Sequence, residues 1–443
     1  MTPDDTYSLD FDTSLQNMGV DQPAPSHQTK NIAIPCTSGW QRETLGTVAE
    51  AIPAEASGGQ DSICPEFKIA GVSPFDPPEP SFTVVDSLGV GGMGSVHLAN
   101  QSFMGREVAV KRSHDAEGKG ASFASVIEEG RRFGRLDHPS IPPVHMVGKD
   151  SEGHAILVMK RIDGHDLHSM LRNPMHPRWA RVEGERTMWL LDLVIQISRA
   201  LEHAHSRSVL HRDIKTENIM VGDFGQVFLI DWGISVDIED RKERTTTKKF
   251  IGTPCFAAPE MVIEHRELSV QTDVYLLGAM LFEIMTGSVP HNGRSIDEIL
   301  TKARKAVRPD IPASVPPSLS AIIGKALEPE IENRYPSVTE FRIAVQQYKS
   351  DHFLLSQMRL AEQQIATLRH WLQEEKMDRQ TGYNFMTLAH EALAILKTVL
   401  RGGVQVEYAK QLVIENLRIQ TEYSILAGQF GVARSLIAKL VED

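Results

Sequence analysis

The stretch LGVGGMGSVHLA, from Leu88 to Ala99, places four glycines in six positions between apolar runs that read as strands. Glycine weakens a strand, so its repeated use marks a tight turn or a close backbone approach to something else. Two readings compete: a plain hairpin turn, and a loop whose bare N–H groups lie on phosphate oxygens. A G-x-G-x-x-G spacing alone does not decide between them. Lys111 follows 17 residues after Gly94, in the run VAVK. On a strand beside such a loop its ammonium can reach phosphates as a point charge. Taken alone, it is equally a solvated or surface-paired lysine.

The rest of the chain shifts the balance. HRDIKTENIM (His211–Met220) is followed by FLIDWGIS (Phe228–Ser235) and then by GTPCFAAPE (Gly252–Glu260). In this order and at these separations, the segments resemble the eukaryotic-type (Hanks-type) serine/threonine protein kinases. GxGGMGxV followed by VAVK is most similar to their bacterial branch. The resemblance covers about residues 82–348.

That resemblance implies a role for each matching residue. Gly89, Val90, Gly91, Gly92, Met93 and Gly94 form the loop over the ATP phosphates. Val96 and Ala109 cover the adenine, Met220 lies beneath it, Met159 matches the gatekeeper, and Lys160 to Ile162 match the hinge. For these apolar positions, core packing is an equally good reading. Lys111 contacts the α- and β-phosphates and pairs with a helix glutamate. Glu128 and Glu129 both offer themselves, and the spacing to His138-Pro139 favours Glu129. Asp213 positions the substrate hydroxyl and accepts its proton, with little base strength needed in a loose transition state. Lys215 reaches the γ-phosphate, and Asn218 and Asp231 supply oxygen ligands for Mg²⁺ or Mn²⁺. Lys215 and Thr253 are of the serine/threonine rather than the tyrosine type. Arg212, just before Asp213, wants an anion, and Thr245 and Thr247 in RTTTKKF are the expected phosphate bearers on an autophosphorylated segment. Glu260 and Arg334 match a buried ion pair, and Asp273 an aspartate that caps the catalytic loop.

Three departures stand out. Trp232 replaces the usual Phe of DFG, Thr216 replaces a common proline, and RNPMHPRWARVEGER (residues 172–186) is longer and more basic than usual. The last reads as a solvated loop in preference to a docking surface.

The elements that must position these residues follow from the hydrophobic pattern. SFTVVDSLGV, GSVHLANQS, EVAVKRS, IPPVHMVGKD and HAILVMKRI are Val-rich strand runs, with a helical pattern, SFASVIEEGRRFGRL, among them. From Thr187 onward helices dominate. The expected fold class is α+β: a bilobal protein-kinase fold, with a β-rich N-lobe, an α-helical C-lobe and a C-terminal α-helical region. The expected domains are an acidic, Pro-rich disordered tail over 1–80, a kinase domain over 81–350, and a helical region over 355–443 that partly resembles a tetratricopeptide repeat. The tail carries nine of the chain's twelve net negative charges.

Composition narrows the partners. A net charge of −12 gives no general affinity for nucleic acid. Three cysteines are too few and too scattered for a disulfide framework or a zinc site, and Cys255 reads as structural. No signal peptide or membrane span is visible, so a reducing, cytoplasmic setting is expected. The expected partners are ATP and protein substrates, with a possible protein partner on the C-terminal helices. The alternative function is a pseudokinase or adaptor scaffold that acts through those helices.

Overall fold

The computed structural model describes residues 82–91, 94–247, 249–373 and 379–442. The expected acidic tail, Gly92 and Met93 lie outside them. Backbone contacts divide the chain into one unit that ends at Ala344 and another that begins at Val345.

The first unit opens with strands β1 (Phe82–Val90), β2 (Gly94–Gln101) and β3 (Arg106–Ala116), then helix α1 (Ala121–Phe133), then β4 (Val144–Lys149) and β5 (His154–Lys160). They form one antiparallel sheet in the order β1-β2-β3-β5-β4. Side chains alternate between its faces. Ala99, Val108, Val110, Ile156 and Val158 pack into an apolar cluster. Ala109 and Lys111 therefore point the other way, toward α1. That helix buries Phe123, Val126, Ile127, Glu129, Gly130 and Phe133, an i, i+3, i+4 stripe.

The chain then passes through β6 (Gly164–Asp166), α2 (Leu167–Arg172), α3 (Arg186–Ser206), β7 (Val209–Leu210), β8 (Ile219–Gly222), β9 (Val227–Leu229) and β10 (Val236–Asp237). Two small sheets, β6-β8-β9 and β7-β10, hold the loops between these strands. Next come the short helices α4 (Arg241–Arg244) and α5 (Pro259–Val262). Helix α6 (Val270–Thr286) is buried without a break from Thr272 to Ile284, as befits a helix that is apolar on all sides. At its start the Ser269 amide donates to Thr272 Oγ1 at 3.1 Å. Helices α7 (Ile296–Arg304) and α8 (Pro317–Ala326) follow, with α8 against α6.

The segment 172–186 is mostly exposed, as a solvated loop would be, and one side chain anchors it. Trp179 is buried and its indole N–H donates to the carbonyls of Met170 and Asn173 at 3.0 and 3.1 Å. Arg178 binds the Gly222 carbonyl and Asp223. One aromatic anchor and one arginine thus hold an otherwise exposed segment in place. Cys255 is wholly buried.

The second unit comprises the later turns of α9 (Val338–Gln373) with α10 (Arg379–Gly402), α11 (Val406–Leu426) and α12 (Phe430–Glu442). Met358, Ala361, Ile365 and Leu368 join a core with Phe385, Ala389, Leu396, Leu412 and Leu417. Among the described residues, no helix is long and apolar enough to cross a membrane.

Candidate active site

Lys111 on β3 meets Glu129 on α1, with Nζ 2.8 and 2.6 Å from the two carboxylate oxygens. Glu128, its rival, faces Arg131 and Arg132 on the helix exterior. Asp231 lies 3.8 Å from the same ammonium. Burial pulls the Lys111 ammonium down, but the charges of Glu129 and Asp231 overcome it and hold it above its ordinary value.

Asp213 sits between β7 and β8. Its carboxylate accepts from Thr253 Oγ1 at 2.6 Å and from Asn218 Nδ2 at 3.0 Å, and pairs with Lys215 Nζ at 2.9 Å. Lys215 also donates to Thr253 Oγ1 at 2.7 Å, closing a circuit of three side chains. Burial works to raise the Asp213 carboxyl, and the Lys215 charge and Thr253 hydroxyl outweigh it, leaving the group below the usual carboxylate range. Asp213 is therefore ionised at neutral pH and a weak base.

The loop's backbone is fixed from below. Asp273, fully buried on α6, accepts the amide N–H groups of His211 and Arg212 at 2.9 and 3.0 Å and the His205 Nε2 proton at 2.7 Å. Arg212 and Asp231 hold left-handed backbone, φ 72 and 61, a conformation that costs a non-glycine residue and persists only where neighbours enforce it. Thr216, at the proline position, donates its hydroxyl to Glu283 on α6 at 2.7 Å. Glu283 and Glu217 share the imidazole of His168, whose Nδ1 lies 3.3 and 3.6 Å from them.

Trp232 is buried in its slot. Its ring stacks on Phe133 of α1 at 6.0 Å and meets His211 edge-on at 4.5 Å, and its indole N–H donates to the Leu229 carbonyl. The larger ring thus gains the partner its N–H needs. A Cβ on Gly233 would come within 2.9 Å of Lys111 Nζ, so a side chain after Trp232 would press on the ion pair.

The glycine loop divides in function. A Cβ on Gly94 would meet the Arg112 carbonyl oxygen at 2.2 Å, whereas around Gly89 space is open. Gly94 is needed by the packing of β2 on β3, and Gly89 leaves room above the cleft. In the register Val96 faces Lys111 and Ala109 faces Met159, so these four share one face of the sheet. Met220 pairs with Asp166 and Phe228 in the sheet below, and Ile162 follows β5.

The residues offer what a divalent cation prefers. The Asn218 amide nitrogen is used on Asp213, leaving its carbonyl oxygen, and Asp231 carries a half-exposed carboxylate. An amide oxygen and a carboxylate are the hard ligands that Mg²⁺ takes beside water and phosphate oxygens.

Not everything expected converges. Arg212 meets neither Thr245 nor Thr247 and reaches the Ile234 carbonyl at 3.3 Å. Thr245 donates to the Arg241 carbonyl at 2.6 Å, and Thr247 is exposed beside Lys249. Arg334 grips Glu260 through two bonds of 2.7 and 2.8 Å, both side chains buried. Phe133, Arg132 and Glu243 escaped the sequence reading. The first two lie four and three residues after Glu129, a helical spacing that marks them as neighbours on its face.

Residues 82–353 match the family model described as protein kinase domain. The chain is 31% identical over 296 residues to the serine/threonine-protein kinase PknD of Chlamydia trachomatis serovar D, covering 60% of this chain and 31% of that protein. It is 30% identical over 283 residues to the protein of that name in Chlamydia pneumoniae, covering 59% and 30%. With that of Protochlamydia amoebophila the identity is 27% over 310 residues, covering 63% and 31%. The alignments thus span about a third of the length of these curated relatives.

Proposed function

The chain belongs to the protein kinase domain family, and on that premise we propose that it is a serine/threonine kinase transferring the γ-phosphoryl group of Mg-ATP to Ser and Thr hydroxyls of proteins. The observation that carries the reading is the Asp213–Lys215–Thr253 circuit set beside a formed Lys111–Glu129 pair.

Lys111, held by Glu129, presents its ammonium to the α- and β-phosphate oxygens. Asn218 and Asp231 hold Mg²⁺, which when bound offsets phosphate charge. Asp213 aligns the acceptor hydroxyl and takes its proton onto a carboxylate oxygen. The new oxygen–phosphorus bond forms as the bond to the β-phosphate oxygen breaks, and ADP leaves. Lys215 stays with the moving negative charge. Val96, Ala109, Met159, Ile162 and Met220 form the adenine slot, and Gly89 to Gly94 cover the phosphates.

The acceptor segment must come close to Asp213, because Ser and Thr side chains are short. Thr253 marks that position. Thr247, exposed and preceding it, is the site at which we place autophosphorylation, with Thr245 as the second candidate and Arg212 as the cation that a phosphate there would seek. A cytoplasmic setting supplies the ATP. The exposed apolar side chains Leu426, Phe430 and Val441 support a protein partner on the C-terminal helices.

The test is incubation of purified chain with radiolabelled ATP, Mg²⁺ and a panel of protein substrates, followed by phosphosite mapping, beside Asp213→Asn. Label on Ser or Thr that disappears in the variant is expected. Phosphotyrosine as the main product, or equal label in the variant, overturns the reading.

A further inference from the structure

Two arginines from separate elements bond to the segment after Asp231, and one of them grips a carboxylate there. Arg132, on α1 three residues after Glu129, donates through Nη2 to Glu243 Oε1 at 2.5 Å and through Nη1 to the Ser235 carbonyl at 2.5 Å. The other Glu243 oxygen accepts the Asp237 amide N–H at 3.0 Å. Glu243 lies in α4, whose start is capped by Asp240. The second arginine is Arg212. Its Nη1 has only a long bond to the Ile234 carbonyl, and its Nε is buried without a partner. Burial lowers the Arg212 guanidinium to about 10; Asp273, Asp213 and Glu243 oppose this, and Arg132 adds to it. Glu243 bonds to Arg132 and adds to the negative charge around Arg212.

The threonines of the same segment are engaged elsewhere. Thr245 donates to the Arg241 carbonyl, Thr246 to that of Ile263, and Thr247 pairs with Lys249 backbone. No threonine hydroxyl bonds to Arg132 or Arg212 among the described residues.

We propose that Glu243 is a positioning residue for phosphoryl transfer, a built-in anion that ties α1 to the segment after Asp231 without phosphorylation. The inference rests on the kinase reading. Its mechanical logic is short: Glu243 holds Arg132, Arg132 is one turn from Glu129, and Glu129 orients Lys111. A phosphate on Thr247 would add to this arrangement and is not needed to create it.

The experiment uses the full chain, phosphatase-treated and verified by intact mass. Wild type is compared with Glu243→Gln, Glu243→Asp, the exchange Glu243→Arg with Arg132→Glu, and Thr245→Ala with Thr247→Ala. Activity and hydrogen exchange across Ala121–Phe133 are read in parallel, so that loss of the kinase reading and loss of this one are separable. Dephosphorylated wild type and the threonine variant are expected to keep their initial rate. Glu243→Gln should lower kcat about tenfold or more, with KM for ATP changed less, as expected for loss of one charge-assisted bond. It should also speed exchange in α1, while Glu243→Asp and the charge exchange recover part of both. Wild-type α1 exchange in Glu243→Gln overturns the proposal whether or not any chain is active. So does a dephosphorylated wild type whose rate returns only when Thr245 or Thr247 is phosphorylated.

Discussion

The catalytic loop and the segment from Arg241 to Phe250 lie side by side in the chain's logic and are built in opposite ways. Around Asp213 nearly every polar group is buried and doubly held: Asp273 takes two amides and an imidazole, Asn218 and Thr253 brace the carboxylate, and Thr216 is tied to α6. The later segment is a four-residue helix and an extended run with one buried side chain, Thr246; it is laced to residues 263–268 along its edge, while Thr245 and Thr247 bond only to nearby backbone. A low-dielectric network is costly to leave incomplete, so it stays in one arrangement. A segment with few buried contacts opens at lower free energy. Geometry that must not vary is placed in the first, and whatever must admit a substrate in the second.

The strongest challenge to that contrast is chemical. Asp213→Asn and Lys111→Met are expected to cut kcat/KM by about 10³-fold or more, as removal of transition-state electrostatics does. Circular dichroism should show both folded. A folded variant with wild-type rate would remove the catalytic loop from the mechanism. Next in size is the brace beneath. Glu260→Gln leaves Arg334 buried without its countercharge, and such a break costs about 3–5 kcal/mol. Urea denaturation measures it, and a loss below about 1 kcal/mol would mean that the carbonyls of Gln271, Glu328 and Pro329 and the Tyr275 ring suffice to hold Arg334.

Trp232→Phe should cost less, about 1–2 kcal/mol, from lost volume and the freed Leu229 carbonyl. It should leave activity near wild type, because Asp231 and Gly233 are untouched. His168 gives a sharper probe through pH. Its bond to Glu283 raises the imidazole against burial, with Glu217 helping. A raised folded value means the contribution is complete below the unfolded pKa of about 6.5 and fades as pH rises through the folded one. His168→Gln should therefore flatten the fall in stability above about pH 6.5, read from denaturation midpoints at several pH values. An unchanged slope would show that the imidazole titrates alike in the folded and unfolded chains. Smallest of all, Thr247→Ala is expected to leave stability within about 0.5 kcal/mol, since the side chain is exposed.

How much was legible in the sequence depended on the range of the interaction. The strands of the first sheet follow from Val-rich runs, and Lys111, Asp213, Asn218 and Asp231 from short segments whose side chains act near their own backbone. Glu129 needed a distance count to choose it over Glu128, and a helix places only one of two adjacent residues inward. Glu243 and Arg132 are 111 residues apart, and no local pattern announces a pair of that kind. Charge and length in the 172–186 segment speak rightly of solvent, and what they leave out is the buried Trp179 that anchors it. Gly94 was read as a phosphate contact, and its backbone neighbour on β3 is a constraint that only the third dimension supplies.

The indole of Trp232 also limits which small molecules the cleft can admit. It fills the space between Phe133 and His211 behind the Lys111–Glu129 pair. A compound seeking depth there must evict a fully buried ring and strand both its N–H and the Leu229 carbonyl. Each group left unpaired would subtract about 1–3 kcal/mol from affinity. Ligands for this chain are therefore expected to be shallow, gripping the hinge and the sheet face around Val96 and Ala109, and selectivity over proteins with a smaller ring should run against deep binders.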